Sequence, residues 1–306
     1  MSGLLRSVNR PVIAILAVGL LAAALRLWHL SSPPERIFDE VYYPKAGCIL
    51  IGGTNDQCDV DSSDERYWRK HKWDVGSWTH PPLGKWMIGL GEKAFGYDPF
   101  GWRISSAAVG SLTVMAVAMI AYLLFGSALW SFVAGILLSV DGLSFVISRT
   151  GLLDSFVAFW VTTGLLFLLL DRRWIERRTP AEEPPPDDGD MDPNGARSLR
   201  VPSPLWRPWR FAAGLALGAA ISTKWSGVLA LAAAVLLTIA WETTRRRDGR
   251  TGRGRAFAGA LTRESFGIVV AFLLVPAIVY VAAYLPWFNH FGWSLGPWWE
   301  DQVAIW

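Results

Sequence analysis

Apolar residues along this chain gather into long runs separated by polar breaks, and the run length is the first informative quantity. A bilayer core takes about 20 apolar residues per helix, and PVIAILAVGLLAAALRLWHL at 11–30 is the first run of that size. Further runs occupy 103–125, 128–148, 152–171, 209–223, 226–242 and 267–287. The pattern predicts an all-α polytopic bundle: one span at 11–30, three within 101–171, a hairpin of two short helices at 209–242, and a seventh span at 267–287. The first run lacks a small-residue cleavage site behind it and reads as an anchor. The chain ends in GPWWEDQVAIW, an aromatic-rich segment (288–306) with no apolar run after it, which suggests a chain that stops short of a larger protein.

Charge placement orients the runs. Arg6 and Arg10 precede the first span, which places the N-terminal residues 1–10 in the cytoplasm by the positive-inside rule. Alternation then puts 31–100 outside and 172–208 inside. The latter begins DRRWIERR, and RRRDGRTGRGR at 245–255, within the 243–266 loop, is the most basic stretch of all. Both clusters agree with the helix count. The Pro-, Asp- and Gly-rich TPAEEPPPDDGDMDPNGARSLRVPSP is expected to be a disordered cytoplasmic linker. Its DDGDMD lacks the terminal acid and flanking helices of an EF-hand and reads as a solvated charge run. Composition fits this picture, with 52% hydrophobic and 18% charged residues over 306 positions and a net charge of +3. Nothing in it points to nucleic acid.

The outer segment 31–100 is too long for a connector. It holds RIFDEVYYPKAG, with the adjacent acids Asp39 and Glu40, then Cys48 and Cys58, then SWTHPPLGKWMIGLGEKAFG. That last stretch predicts an amphipathic helix on the membrane surface, opened by HPP and flanked by Lys85 and Lys93. Outside the cytosol the two cysteines are expected to form a disulfide, stabilising the loop by about 2–3 kcal/mol. Ionisable residues also sit where a purely structural span avoids them: Arg103, Asp141, Arg149, Asp154 and Lys224, all toward the outer side. Each alone reads as a snorkelling side chain or a structural ion pair; together they outline a site. A carboxylate supplies a general base for a hydroxyl, and outer cations such as Arg103 and Lys224 can hold a phosphate as it leaves. With no nucleotide outside the cytosol, a lipid-linked phosphate is the natural activated donor.

FDEVYYPKAG, THPPLGKWMIGLG, GWRISSAAVG, ISRTGLLDSF and GAAISTKWSGVL, in this order, resemble the protein O-mannosyltransferases, most closely their actinobacterial branch. The likeness runs from about residue 30 to 242. It implies a GT-C glycosyltransferase fold and transfer of mannose from polyprenyl phosphate to Ser or Thr hydroxyls of exported proteins. It further implies inversion at the anomeric carbon, no essential metal or cofactor, and a plasma-membrane location with the site outside. By motif position it makes Asp39 the base, Glu40 a partner for the acceptor, and Arg103 and Lys224 donor-phosphate contacts. His80, Arg149 and Asp154 stand as supporting residues. The eukaryotic MIR domain and the family's C-terminal spans have no counterpart in this sequence. Docking to the Sec export channel is a further expectation, since unfolded acceptors emerge there.

Competing readings are each tied to particular residues. Asp39 and Glu40 can be a solvated pair bridged to Arg36 or Lys45. Asp59 and Asp61 form a DxD, the metal–nucleotide motif of soluble glycosyltransferases, but lie in a loop without a nucleotide donor. His71, His80 and Glu92 lack metal-ligand spacing. A lipid-carrier transporter would place its charges near the bilayer midplane with repeat symmetry. A related GT-C enzyme acting on a lipid or polysaccharide acceptor would share the whole pattern.

Overall fold

The computed structural model describes residues 2–61, 64, 79–178, 207–247 and 252–305. Of the linker expected at 172–208, residues 179–206 with the DDGDMD lie outside the described residues, as do His71 and 248–251, while 172–178 and most of the described part of the loop expected at 243–266 are helical. Among the described residues the regular structure is helical.

Helix α1 (Ser2–Leu27) precedes a 3₁₀ turn at Phe38–Val41, α2 (Tyr43–Leu50) and α3 (Leu83–Phe95). Then come α4 (Pro99–Phe125), α5 (Ala128–Val140), α6 (Gly142–Ile147) and α7 (Leu153–Arg178). Helices α8 (Pro208–Thr223) and α9 (Gly227–Arg246) form the expected hairpin, with Lys224 at its tip. A helical run follows from α10 (Arg253–Val269) through a π-helical turn at Val270–Leu274 to α11 (Val275–Ala283) and α12 (Leu285–Phe291), before α13 (Leu295–Ile305).

Among the described residues five helices are long and apolar enough to cross a membrane: Arg10–Leu27, Pro99–Phe125, Leu153–Arg178, Gly227–Arg246 and Arg253–Phe291. Two of the seven expected spans fall short of that length, for local reasons. The run at 128–148 breaks at Asp141, which ends α5 in extended backbone and caps α6 by accepting from Ser144 N at 2.7 Å. Helix α8 has 16 residues, from Pro208 at its first turn to Thr223. The stretch expected as an outer tail at 288–306 instead carries the end of α12 and all of α13.

Helix packing runs through small residues, as expected where apolar surroundings supply little drive for association. The crossing of α2 with α3 is closest at paired glycines. A Cβ on Gly47 would stand 2.4 Å from the Lys85 carbonyl oxygen, and one on Gly89 2.4 Å from the Gly47 oxygen. Tyr43, Ile88, Trp102, Leu153 and Phe156 then form a buried core that joins α2, α3, α4 and α7. A second core, with Leu168, Leu217, Ala234 and Phe272, joins α7, α8, α9 and the π-helical turn. Leu20, Leu229, Leu236 and Ile278 remain exposed on the helix flanks, an apolar sleeve suited to lipid.

The bundle has two distinct ends. The 3₁₀ turn, α2, the starts of α3, α4 and α7, and the α8–α9 tip gather at one. At the other, Arg173 of α7 donates to the Leu123 carbonyl of α4, and the end of α9 meets the start of α8.

Candidate functional site

The two adjacent acids have opposite surroundings. Phe38 adopts φ 53°, a left-handed conformation costly for a bulky residue, as the chain enters the 3₁₀ turn. Within that turn Asp39 remains partly exposed while Glu40 is 0% exposed. Glu40 Oε1 accepts from Arg103 Nε and from Gly151 N, both at 2.8 Å. Its Oε2 accepts from Arg103 Nη2 at 2.7 Å and from Ile37 N at 3.1 Å. Arg103, 1% exposed, spends its remaining donors on the carbonyls of Leu30, Pro33 and Glu35, at 3.3, 2.7 and 3.1 Å.

This geometry corrects two expectations. Arg103 is not available to clamp a phosphate, because each of its guanidinium nitrogens is already bonded inside the protein. Glu40 cannot reach an acceptor, because both its oxygens are saturated. The pair instead welds the segment after α1 to α4 and to the α6–α7 junction, which holds Asp39 in place. Arg149 is likewise structural: Nη1 donates to Leu25 O at 3.1 Å and Nη2 to His29 O at 3.0 Å, closing the C-terminal end of α1. Cys48 and Cys58 form the expected disulfide beside Ile49 and Val60. Asp59 pairs with Arg36 at 2.6 Å, and Asp61 bonds with Asp64 in a local turn.

The remaining sequence-derived residues gather around Tyr43, beside Asp39. Tyr43, four residues on, lies close enough to Asp39 to feel its charge. Burial, then the charges of Asp39 and Asp154, push its phenol well above the ordinary range. The Tyr43 and His80 rings lie 6.4 Å apart. Lys224 Nζ donates to Asp154 Oδ1 at 3.1 Å, with both side chains partly exposed at 30% and 52%. Burial lowers His80 to about 4, helped by the charges of Lys85 and Lys224 and opposed by Asp154. A neutral imidazole therefore stands between two cations and a carboxylate.

Three participants escaped the sequence reading. Tyr43 carried a usable signal, its i+4 spacing from Asp39. Lys85, expected on the surface, is 1% exposed, and burial lowers its ammonium pKa against the opposing pull of Asp301 of α13. Asp301 had no local signal, since it reaches the site only through the fold. The surface-helix reading of α3 is corrected to that extent: its Lys85 face is buried against the bundle.

Next to Lys224 lies an apolar groove of about 750 Å³, walled by Ile221, Trp225, Leu229, Tyr280, Trp298 and Val303. Its wall is fastened where Trp225 Nε1 donates to the Tyr280 hydroxyl at 3.1 Å and that hydroxyl donates to Gln302 Oε1 at 2.6 Å. Among the described residues no cluster of three His, Cys, Asp or Glu side chains is arranged to hold a metal ion. The described site offers a carboxylate, a neutral imidazole and a cation, with an apolar trough nearby.

The sequence matches the family model described as dolichyl-phosphate-mannose-protein mannosyltransferase over residues 16–180 and 200–292. The chain belongs to that family. It is 34% identical over 289 residues to the polyprenol-phosphate-mannose–protein mannosyltransferase of Mycolicibacterium smegmatis strain MKD8, covering 90% of this chain and 52% of that protein. The namesake from Corynebacterium glutamicum is 33% identical over 281 residues, covering 90% and 50%. The chain thus spans about half the length of the curated relatives it matches. Among solved structures it resembles the Saccharomyces cerevisiae protein O-mannosyltransferase Pmt1–Pmt2 complex bound to the sugar donor. That match has a TM-score of 0.62 at 20% identity, over 92% of this chain and 34% of the other. At that identity it establishes the fold, a GT-C helix bundle. Together the family and the apolar helices make this mannosyltransferase relative a multi-pass membrane protein.

Proposed function

We propose that the protein transfers mannose from a polyprenyl phosphate to Ser or Thr hydroxyls of exported proteins, at the extracytoplasmic face of the plasma membrane. The observation that carries this reading is the grouping of Asp39, Asp154, His80 and Lys224 around Tyr43, with an apolar groove that begins at Trp225, the residue after Lys224. Lys224 suits the donor phosphate, the groove suits the prenyl chain, and Asp39 is the acid left accessible. The hydroxyl oxygen attacks the anomeric carbon as its proton passes to Asp39. The bond from that carbon to the phosphate oxygen breaks, and polyprenyl phosphate leaves against Lys224. Attack opposite the phosphate inverts the anomeric centre. No step calls for a metal or cofactor. His80, neutral at ordinary pH, can orient either substrate by hydrogen bonds without adding charge, and Asp154 holds Lys224.

Orientation follows from the distribution of charge. Arg172, Arg173, Arg177 and Arg178 cluster with the start of α8 at the end remote from Asp39, which favours a cytoplasmic N-terminus and remote end. Delivery of acceptors by the Sec channel fits a site on the far side. A transporter is disfavoured because the reactive charges sit at one end of the bundle and not at its middle.

Membranes carrying the protein, given polyprenyl-phosphate-linked mannose and a Thr-rich peptide, should yield mannosylated peptide. Transfer lost in Asp39→Asn supports the reading, whereas full transfer in that variant removes Asp39 as base. Mannosylation of lipid or polysaccharide alone would replace the acceptor class.

A further inference from the structure

The end of the bundle remote from Asp39 carries a buried ionic cluster that mannosyl transfer does not use. Arg207 donates to Asp171 Oδ2 at 2.5 Å and to Glu242 Oε1 at 2.8 Å. Arg210 donates to Glu264 Oε2 at 2.7 Å, Arg246 donates to Glu264 Oε1 at 3.1 Å, and Arg245 pairs with Glu242. Four guanidinium groups therefore face three carboxylates, drawn from α7, the start of α8, α9 and α10. Apart from Arg245, at 15%, each of these side chains is at most 5% exposed.

This set is incomplete in charge and in hydrogen bonds. One positive charge has no counterpart within the cluster. Among the described residues Arg245 Nη1 and Arg246 Nε and Nη1 are buried without a hydrogen-bond partner, and Arg210 Nε comes only within 3.6 Å of Asp171. Buried donors left unmade are costly, and charged ones more so. Arg245 also lines a cavity of about 390 Å³, together with Asp171, Arg172, Glu176, Arg207 and Glu242; Arg210 and Arg246 stand behind that wall. The Arg172 guanidinium sits 5.1 Å over the Trp241 ring and bonds Glu176 at 2.8 Å. The three wall carboxylates are each already held by an arginine: Asp171 by Arg207, Glu176 by Arg172, and Glu242 by Arg207 and Arg245.

We propose that this cluster and its cavity form a second binding site, for a phosphate group, at the end of the bundle opposite Asp39. Planar guanidinium donors match phosphate oxygens, a negative charge would offset the surplus of the cluster, and an added oxygen would satisfy the open Arg245 Nη1 donor on the cavity wall. Two sources share this chemistry: the headgroup of an anionic phospholipid in the adjacent leaflet, and free phosphate. The site stands independently of the mannosyl-transfer reading.

Thermal unfolding of the delipidated protein in neutral detergent tests it, with inorganic phosphate against chloride at equal ionic strength, and phosphatidylglycerol against phosphatidylcholine. A ligand bound to the native state alone raises the unfolding temperature saturably. Arg172→Gln, at a partly exposed wall residue outside the buried network, should leave the unliganded unfolding temperature unchanged. It should weaken the apparent affinity about tenfold, the loss of one charge-assisted hydrogen bond. Arg245→Gln should weaken it similarly. Stabilisation by phosphatidylglycerol alone assigns the lipid headgroup, stabilisation by phosphate alone assigns the free anion, and both together assign the shared group. The proposal is overturned if neither ligand exceeds its control, or if both variants bind as tightly as the wild type.

Discussion

At the Asp39 end one fully buried ion pair, Glu40 with Arg103, is saturated, and Asp154 and Lys224 keep access to solvent. At the Arg207 end seven ionised groups are buried together, with a surplus positive charge and unmade donors. The contrast separates two uses of charge. A saturated pair is scaffolding, since it has nothing left to offer a substrate. A group that is to meet a substrate has to be held in place yet incompletely satisfied, and Lys224, bonded to Asp154 and partly exposed, has that character.

The comparison breaks most sharply at the adjacent acids. Asp39→Asn should cut transfer by about 10²–10⁴-fold, the range of a lost general base, while the unfolding temperature stays near wild type. A large thermal loss with retained turnover would invert the assignment of the two acids. Arg103→Ala should instead cost about 3–5 kcal/mol of stability, because Glu40 is left charged and buried, and denaturant titration would show it. An unchanged midpoint would mean that the pair is not part of the scaffold.

A third carboxyl sharpens the point. Glu92 of α3 is 5% exposed, and neither of its oxygens has a hydrogen-bond partner. Burial raises its pKa to about 9, against the lowering pull of Arg36. Its folded pKa lies above the unfolded value, so its contribution is most favourable below about pH 4.5 and is lost as pH rises toward 9. Glu92→Gln should therefore stabilise by about 2–3 kcal/mol at pH 7 and by almost nothing at pH 4. Equal gains at both pH values would refute a neutral, buried acid.

The smallest effect belongs to His80. Its folded pKa of about 4 lies below the ordinary histidine value of 6.5, so the stability it contributes is present above 6.5 and lost as pH falls toward 4. His80→Asn should flatten that part of the stability–pH curve relative to wild type. An unaltered slope would place the imidazole in solvent.

Much of this was legible before the fold. The apolar runs located the helices, and the basic clusters marked one end of the bundle. The Cys48–Cys58 spacing anticipated the disulfide, and the motif order pointed to Asp39, His80, Asp154 and Lys224. The misreadings share a cause. Arg103 and Glu40 lie 63 positions apart and meet only when α4 packs against the 3₁₀ turn. Lys85 reads as a surface residue until α13 brings Asp301 to it.

The chain's own pattern determined where helices form and which end of each carries charge, because hydrophobic period and run length are set by near neighbours. Only the tertiary structure decided which of two consecutive acids is consumed as scaffold and which is left accessible. In a short 3₁₀ turn neighbouring side chains point in different directions, and whether water or an arginine meets them depends on helices distant in sequence.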